Sequence, residues 1–142
     1  EGESSMNFDI TDHIEENSQR EIFEGLLSYN LEHLEDKNPK DLGIYLKDET
    51  GKIIAGLIGN THGNWLTVKF LWVSDELRGK NIGSEILQLA EKTAKERGCK
   101  YVFLDTFSFQ APAFYRKHGY QDAFVLEEYP VTGKRYYFTK NL

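Results

Sequence analysis

The chain of 142 residues holds one cysteine, one methionine and three prolines, and it lacks any long apolar run. Each scarcity excludes something. With Cys99 alone, no disulfide can close within the chain, and a cysteine-rich metal site cannot form. No segment approaches the roughly 20 apolar residues needed to span a bilayer, and no secretory signal is visible. A cytoplasmic location without a membrane partner is therefore expected. Positive charge is also short: 17 basic against 23 acidic residues leave a net charge of −6. That argues against a general nucleic-acid binder and is compatible with a small cationic substrate. The length suits one domain with one core. Residues 1–5, "EGESS", read as a disordered polar leader or expression remnant, and residues 6–142 as a single domain.

What is present is patterned. "NFDITDHI" alternates Phe8 and Ile10 with polar neighbours and predicts a short strand. Ser18 and Glu21 form an S-x-x-E capping box. Ile22, Phe23, Leu26, Leu27, Leu31 and Leu34 follow it at helical spacing. From Asp41 the period changes to two. "LGIYLKD" and "KIIAGLIGN" flank the turn signal "ETGK" and predict a hairpin. "THGN" then leads to "WLTVKFLWV", a long strand expected to place Leu66, Val68, Phe70 and Trp72 on one face. After a loop, Ile82, Ile86, Leu89, Ala90 and Thr93 mark the buried stripe of a helix that Gly98 should cap. "KYVFLDT" is a strand one helix away, which predicts a parallel crossover. Pro112 starts a short helix, "APAFYRKH", that Gly119 stops. Two strands, "YQDAFVLEEY" and "KRYYFTKNL", close the chain. No repeat, linker or low-complexity segment appears. The predicted order is β-α-β-β-β-α-β-α-β-β.

The loop in "LRGKNIGSEIL" carries the chemistry. A strand, a glycine-bearing loop and a helix make an anion site, because unpaired N–H groups and the helix dipole face outward there. Gly79 and Gly83 permit close backbone approach, and Arg78 and Lys80 add charge at the rim. A Walker A loop needs G-x-x-x-x-G-K-[ST], and no Gly-Lys-Ser/Thr follows the second glycine. The dinucleotide pattern G-x-G-x-x-G is absent. "RGKNIG" does match the coenzyme A pyrophosphate pattern R-x-x-G-x-G/A, with Asn81 in place of the middle glycine. Alone, that match is unspecific.

Its surroundings are not. "FLWVSDELRGKNIGSEIL", "KYVFLDT" and "APAFYRKHGY" together resemble the GNAT superfamily of N-acetyltransferases. They look like its fourth strand with pyrophosphate loop and helix, its fifth strand, and its A-x-x-x-Y-x-x-x-G-F/Y helix, the last matching at Ala111, Tyr115, Gly119 and Tyr120. The segment "LDTFSFQAPAFY" is similar to a bacterial subgroup of that superfamily. The resemblance implies an α/β fold of the α+β kind: a mixed, mostly antiparallel twisted sheet of about six to seven strands with helices on both faces. It implies acetyl transfer from acetyl-CoA to a primary amine of a small molecule or peptide, by direct attack in a ternary complex.

The resemblance also assigns residues. Backbone groups of Leu71 and Val73 would pair with pantetheine, and the Val73 N–H would polarise the thioester carbonyl. Arg78, Gly79, Lys80, Asn81, Ile82, Gly83 and Ser84 would hold the pyrophosphate, with Ser108 and Ala111 also at the cofactor. Ser108 stands where many members carry asparagine. Asparagine tolerates left-handed backbone geometry, so the loop is expected to keep its shape at Asn81. Tyr115 would be the general acid toward the departing thiolate, since a phenol of pKa roughly 10 is protonated at neutral pH.

The base is open. "WLTVKFLWV" contains no carboxylate, so Asp105, Glu127, Glu128, His33 and Glu35 are all candidates. The four histidines show no ligand spacing, and no metal is expected. Cys99 reads as a buried structural thiol rather than a nucleophile. Phe107 and Phe109 are candidates for an acceptor pocket, where an aromatic face attracts an ammonium group. The acidic balance makes a polyamine, an aminoglycoside or a lysine side chain plausible as acceptor. A monomer or homodimer is expected. A non-catalytic acyl-CoA-binding domain of the same fold is the alternative function.

Overall fold

A computed structural model describes residues 6–31, 33, 38–108 and 110–142. They fall into two units, Glu1–Lys37 and Asn38–Leu142. No described helix is long and apolar enough to cross a membrane.

The first unit holds helix α1, Glu16–Leu31. It opens before the predicted cap. The Gln19 N–H already donates to the Glu15 carbonyl at 3.1 Å, so Ser18 is the helix's third residue and caps nothing. Glu16, in the first turn, instead meets the positive end of the helix dipole. The strand expected around Phe8 and Ile10 does not form: residues 6–10 belong to no ladder, and an extended segment without a partner has nowhere to place its backbone hydrogen bonds. A local turn follows, in which Thr11 Oγ1 donates to the His13 carbonyl and accepts from the His13 N–H. Leu34 and Glu35 lie outside the described residues.

The second unit follows the predicted order from β1 onward. Its elements are β1 (Lys40–Lys47), β2 (Ile53–His62), β3 (Trp65–Val73), α2 (Ile82–Glu96), β4 (Tyr101–Phe107), α3 (Pro112–Lys117), β5 (Gln121–Leu126) and β6 (Arg135–Asn141). Among the described residues the strands form one six-stranded sheet in the order β1-β2-β3-β4-β6-β5. Neighbours are antiparallel except β3 and β4, which α2 connects and which run parallel. The fold is therefore a mixed, mostly antiparallel α/β sheet.

The core lies between the sheet and α2. Leu57, Leu66, Val102, Leu104 and Phe138 are fully buried beneath Ile86, Leu87, Ala90 and Ala94 of the helix. Burying each large side chain contributes about 1.5–3 kcal/mol. Leu89 was expected on that stripe, but it is 50% exposed. The helix turns Leu87 and Ala94 inward beside the expected Ile86 and Ala90, and the small side chains let it approach the strands closely. α2 stops where expected: Gly98 takes φ +91°, and the Cys99 N–H reaches back to the Ala94 carbonyl at 2.9 Å. Cys99 is buried, its thiol directed to the Gly63 carbonyl.

β3 departs from the sequence expectation in a way that matters for the site. Leu66 and Val68 face the core, but Phe70 and Trp72 do not; they are 67% and 53% exposed. The register explains this. Ile58 of β2 sits opposite Phe70 and Gly59 opposite Val68, so Lys69 is an extra residue, a β-bulge. Beyond it the alternation inverts, and Leu71 and Val73 pack against the core. The partner strand accommodates the kink at Gly59, where a Cβ would overlap the Thr67 carbonyl oxygen.

Candidate active site

The bulge opens the sheet. β3 pairs with β4 only from Trp65 to Thr67, opposite Tyr101 to Phe103. From Phe70 on, β2 is the one strand neighbour of β3 among the described residues. The Ser74 N–H donates to Ile54 of β2 at 3.0 Å. Successive residues of a strand point their backbone groups to opposite sides. Those of Trp72 therefore also face β2, and those of Leu71 and Val73 face the gap toward β4. A cleft of about 1010 Å³ occupies this gap. Its size is at the upper end of ordinary small-molecule sites, roughly 300–1,000 Å³.

At one end the cleft meets the loop before α2. A 3-10 turn (Asp75–Leu77) leads into it. Gly79 (φ +80°) and Asn81 (φ 60°, ψ 20°) are both left-handed, with Lys80 between them. Asparagine thus does hold the backbone shape expected of it. The alternation turns N–H groups outward: among the described residues, those of Gly79, Asn81, Ile82, Gly83 and Ser84 find no backbone acceptor. Five donors at a helix N-terminus make a nest for anionic oxygens. Arg78 lines the cleft, paired with exposed Asp75 at 3.1 Å. Gly83 is not demanded by the protein's own packing. A Cβ there would meet Phe114 and Val73 at ordinary contact distance.

α3 forms the adjoining wall and is tied to this loop by Ser84 Oγ, 2.9 Å from His118 Nε2. Pro112 stands in its first turn. Tyr115 packs its ring on Tyr120 and Phe138, and it lines the cleft. Burial, and secondly the negative charge of Asp105, push its hydroxyl up to about 12. It is protonated across the physiological range, and no hydrogen-bond partner occupies it among the described residues.

Asp105, at the end of β4, is the single carboxylate among the described residues lining the cleft. Arg135 holds it, Nε to Oδ2 at 2.7 Å. The guanidinium in turn lies over Phe107, Tyr129 and Tyr137 at 5.2–5.7 Å from their ring centres and donates to the Tyr129 hydroxyl. Phe107, a candidate for the acceptor pocket, lines the cleft, and its ring already lies beneath this resident cation. Gln110, not anticipated from sequence, shapes the strand end: its Oε1 accepts from the Phe107 N–H and from Thr106 Oγ1, both at 2.8 Å.

Leu71, Val73, Arg78, Gly79, Asn81, Ile82, Gly83, Ser84, Ala111 and Tyr115 all line this one cleft. Lys80 and Ser108 are not among its lining residues. Ser108 turns toward the start of β6 instead, its N–H donating to the Lys134 carbonyl and its Oγ accepting from the Lys134 N–H. Glu127 and Glu128 are not in the lining either, and Glu127 pairs with Lys134 at 3.6 Å. His33 belongs to the first unit, and Glu35 and Phe109 lie outside the described residues. Phe70 and Trp72, expected on one face with Leu66 and Val68, line the cleft instead. Among the described residues no cluster of His, Cys, Asp and Glu could hold a metal ion.

Comparison with known proteins agrees with this geometry. The sequence model of the Acetyltransferase (GNAT) family matches residues 8–120. Acetyltransferase Atu2258 from Agrobacterium fabrum (strain C58 / ATCC 33970) is 31% identical over 115 residues, covering 81% of this chain and 84% of that protein. Blasticidin-S acetyltransferase from Streptomyces morookaense is 39% identical over 87 residues, 61% of this chain and 64% of its own length. Among solved structures, an acetyltransferase from Bacillus cereus ATCC 14579 superposes with a TM-score of 0.80 at 34% identity, covering 94% of this chain and 98% of its own.

Proposed function

Because the chain belongs to the GNAT acetyltransferase family, we propose that it transfers the acetyl group of acetyl-CoA to a primary amine of a small molecule or peptide, by direct attack in a ternary complex. The splayed junction of β3 and β4 supports this most. It joins an anion nest, a strand edge with unpaired backbone groups and a protonated tyrosine in one cleft. That set fits an elongated donor with phosphates at one end and a thioester at the other.

In this reading the outward N–H groups from Gly79 to Ser84 hold the pyrophosphate, and Arg78 adds charge beside them. The gap-facing groups of Leu71 and Val73 align the pantetheine arm. The Val73 N–H donates to the thioester oxygen, where negative charge grows as the amine attacks. The C–N bond forms as the C–S bond breaks, the Tyr115 hydroxyl gives its proton to the departing sulfur, and the proton that the nitrogen loses on becoming an amide returns through solvent to Tyr115. An amine of pKa roughly 10.4 is neutral in about one molecule in a few thousand at pH 7, a deficit of about 4–5 kcal/mol. The acceptor must therefore shed a proton before attack.

Two measurements test the proposal on the whole chain. Acetyl-CoA at about 100 times its Kd should stabilise the fold by about 2.7 kcal/mol, seen as a rise in Tm. Free thiol should then appear from acetyl-CoA only when an amine is supplied. No stabilisation by acetyl-CoA would remove the donor assignment. Stabilisation without thiol release across a broad amine panel would leave a CoA-binding domain and remove the enzyme.

A further inference from the structure

The cleft passes through the sheet, and its two ends differ in chemistry. On β4, Val102, Leu104 and Thr106 face the helices, so Asp105 and Phe107 face the other way. The register with β6 sets Arg135 opposite Phe107 on that same outer face. The bulge at Lys69 brings Phe70 and Trp72 to it as well. The donor loop and Tyr115 serve the helix side, so the outer side is left for the acceptor.

Charge narrows what that acceptor can be. The cleft is lined by four cations, Lys69, Arg78, Lys117 and Arg135, against one carboxylate, Asp105. The net charge of −6 therefore misleads about the site, because the acidic excess lies elsewhere. With Arg78 assigned to the donor's phosphates, a polycation on the outer side would meet one carboxylate, Asp105, already paired with Arg135, and the positive charge of Lys69. Asp105 has room for a single ammonium: Arg135 occupies Oδ2, and Oδ1 receives no hydrogen bond among the described residues. The exposed rings of Phe70 and Trp72 stand unclaimed by any resident cation among the described residues. Large apolar rings left in a cleft favour a flat apolar ligand.

Building on the acetyl-transfer reading, we infer that the acceptor is a primary amine with one positive charge on a planar apolar body, an arylalkylamine type of molecule. Its ammonium binds Asp105 Oδ1, and its ring lies against Phe70 and Trp72. Asp105 and Tyr115 line the same cleft, so an amine held at Asp105 shares it with the group assigned to protonate the leaving thiol.

The test is steady-state thiol release from acetyl-CoA with matched acceptors: tryptamine and 2-phenylethylamine, n-butylamine with the same charge but no ring, and the polycations spermidine and kanamycin. The kcat/KM for the ring-bearing amines should exceed that for butylamine by at least about tenfold, and that for the polycations by about a hundredfold. Phe70→Ala combined with Trp72→Ala removes two exposed side chains. It should raise KM for tryptamine about tenfold while Tm and the KM for acetyl-CoA stay within about twofold of wild type. Asp105→Asn should likewise raise the amine KM with the KM for acetyl-CoA within about twofold, together with a fall in Tm from the lost Arg135 pair. Preference for spermidine or kanamycin, or an unchanged tryptamine KM in the double variant, would overturn the inference and leave acetyl transfer standing. Stabilisation by acetyl-CoA with no turnover of any amine would instead overturn acetyl transfer itself, and this inference with it.

Discussion

Between Trp65 and Thr67, β3 has a strand on each side; between Phe70 and Val73 it has one. The two halves are made of the same kinds of residue, yet they do different work. In the paired half Leu66 is fully buried, and the backbone is closed into the sheet. In the splayed half two large aromatic side chains stand in a cleft, and the backbone groups of Leu71 and Val73 face a gap. Buried backbone groups without partners are costly, so such an edge persists in a protein when a ligand or solvent completes it. One inserted residue, Lys69, separates a strand that holds the fold from a strand that can hold a substrate.

The most severe way to break the comparison is to delete Lys69. Without the extra residue, every side chain from Phe70 to Val73 exchanges faces. On the proposed mechanism acetyl transfer should fall by about three orders of magnitude or more, since the backbone groups assigned to the donor and to the oxyanion are displaced. Thiol release, with circular dichroism as a check on folding, measures it. A folded deletion variant that retains kcat/KM within about threefold would show that the halves are interchangeable.

The next contrast is in stability. Leu66→Ala, in the paired half, should cost about 2–5 kcal/mol in denaturant unfolding, and Phe70→Ala, in the splayed half, no more than about 0.5 kcal/mol. Equal losses would mean that Phe70 is core and that the bulge does not invert the strand.

How much of this could be read from the residues alone divides along the same line. Local signals were legible. Period two marked the meander, helical spacing marked α2, and Asn81 and Gly98 stood where left-handed backbone was needed. Family resemblance alone pointed to the backbone groups of Leu71 and Val73 as open to a ligand. The bulge beneath it was hidden, because in "KFLWV" every residue after Lys69 is apolar and no polar side chain marks which face is outward. Phe70 and Trp72 were therefore grouped with Leu66 and Val68. Leu89 failed differently: large apolar residues suggest burial, whereas Ala90 and Ala94 supply the contact because they allow close approach. Ser108 was placed by motif position, but hydrogen bonds to Lys134 draw it away from the cleft. The strand at Phe8 and the cap at Ser18 were short patterns without the neighbours that would make them hold. Whole-chain charge could not report the local sign of the cleft.

Tyr115 sharpens the functional side of the comparison. Tyr115→Phe keeps the ring that packs on Phe138 and Tyr120 and removes only the hydroxyl. The kcat should fall about a hundredfold with the KM for acetyl-CoA unchanged. The pH profile gives an independent reading. With the hydroxyl pushed up to about 12, Tyr115 remains protonated at pH of about 10, so wild-type kcat should show no alkaline fall up to that point. The same raised pKa bears on stability. The protonated form is favoured in the folded protein, so its contribution is complete below about pH 10 and is lost as pH climbs through about 12. Tyr120, likewise raised, by burial and by its hydrogen bond to Glu91, adds to that alkaline loss. An unchanged kcat in Tyr115→Phe would assign the proton transfer to another group.

The smallest expected effect is at Asn81, where the loop meets the splayed strand across the cleft. Its φ of 60° and ψ of 20° lie in the left-handed region, and its side chain makes no capping hydrogen bond to α2. Glycine adopts that conformation without strain, so Asn81→Gly should leave the Kd for CoA within about twofold and cost less than about 1 kcal/mol, mainly through a more flexible unfolded chain. Asn81→Ala keeps a Cβ but loses asparagine's tolerance, and should cost about 1–2 kcal/mol. The pair separates shape from chemistry. If glycine preserves CoA binding and alanine weakens it, the backbone conformation is what the loop contributes. If glycine weakens binding about tenfold, the amide side chain itself touches the ligand, and the nest of N–H groups is only part of the grip.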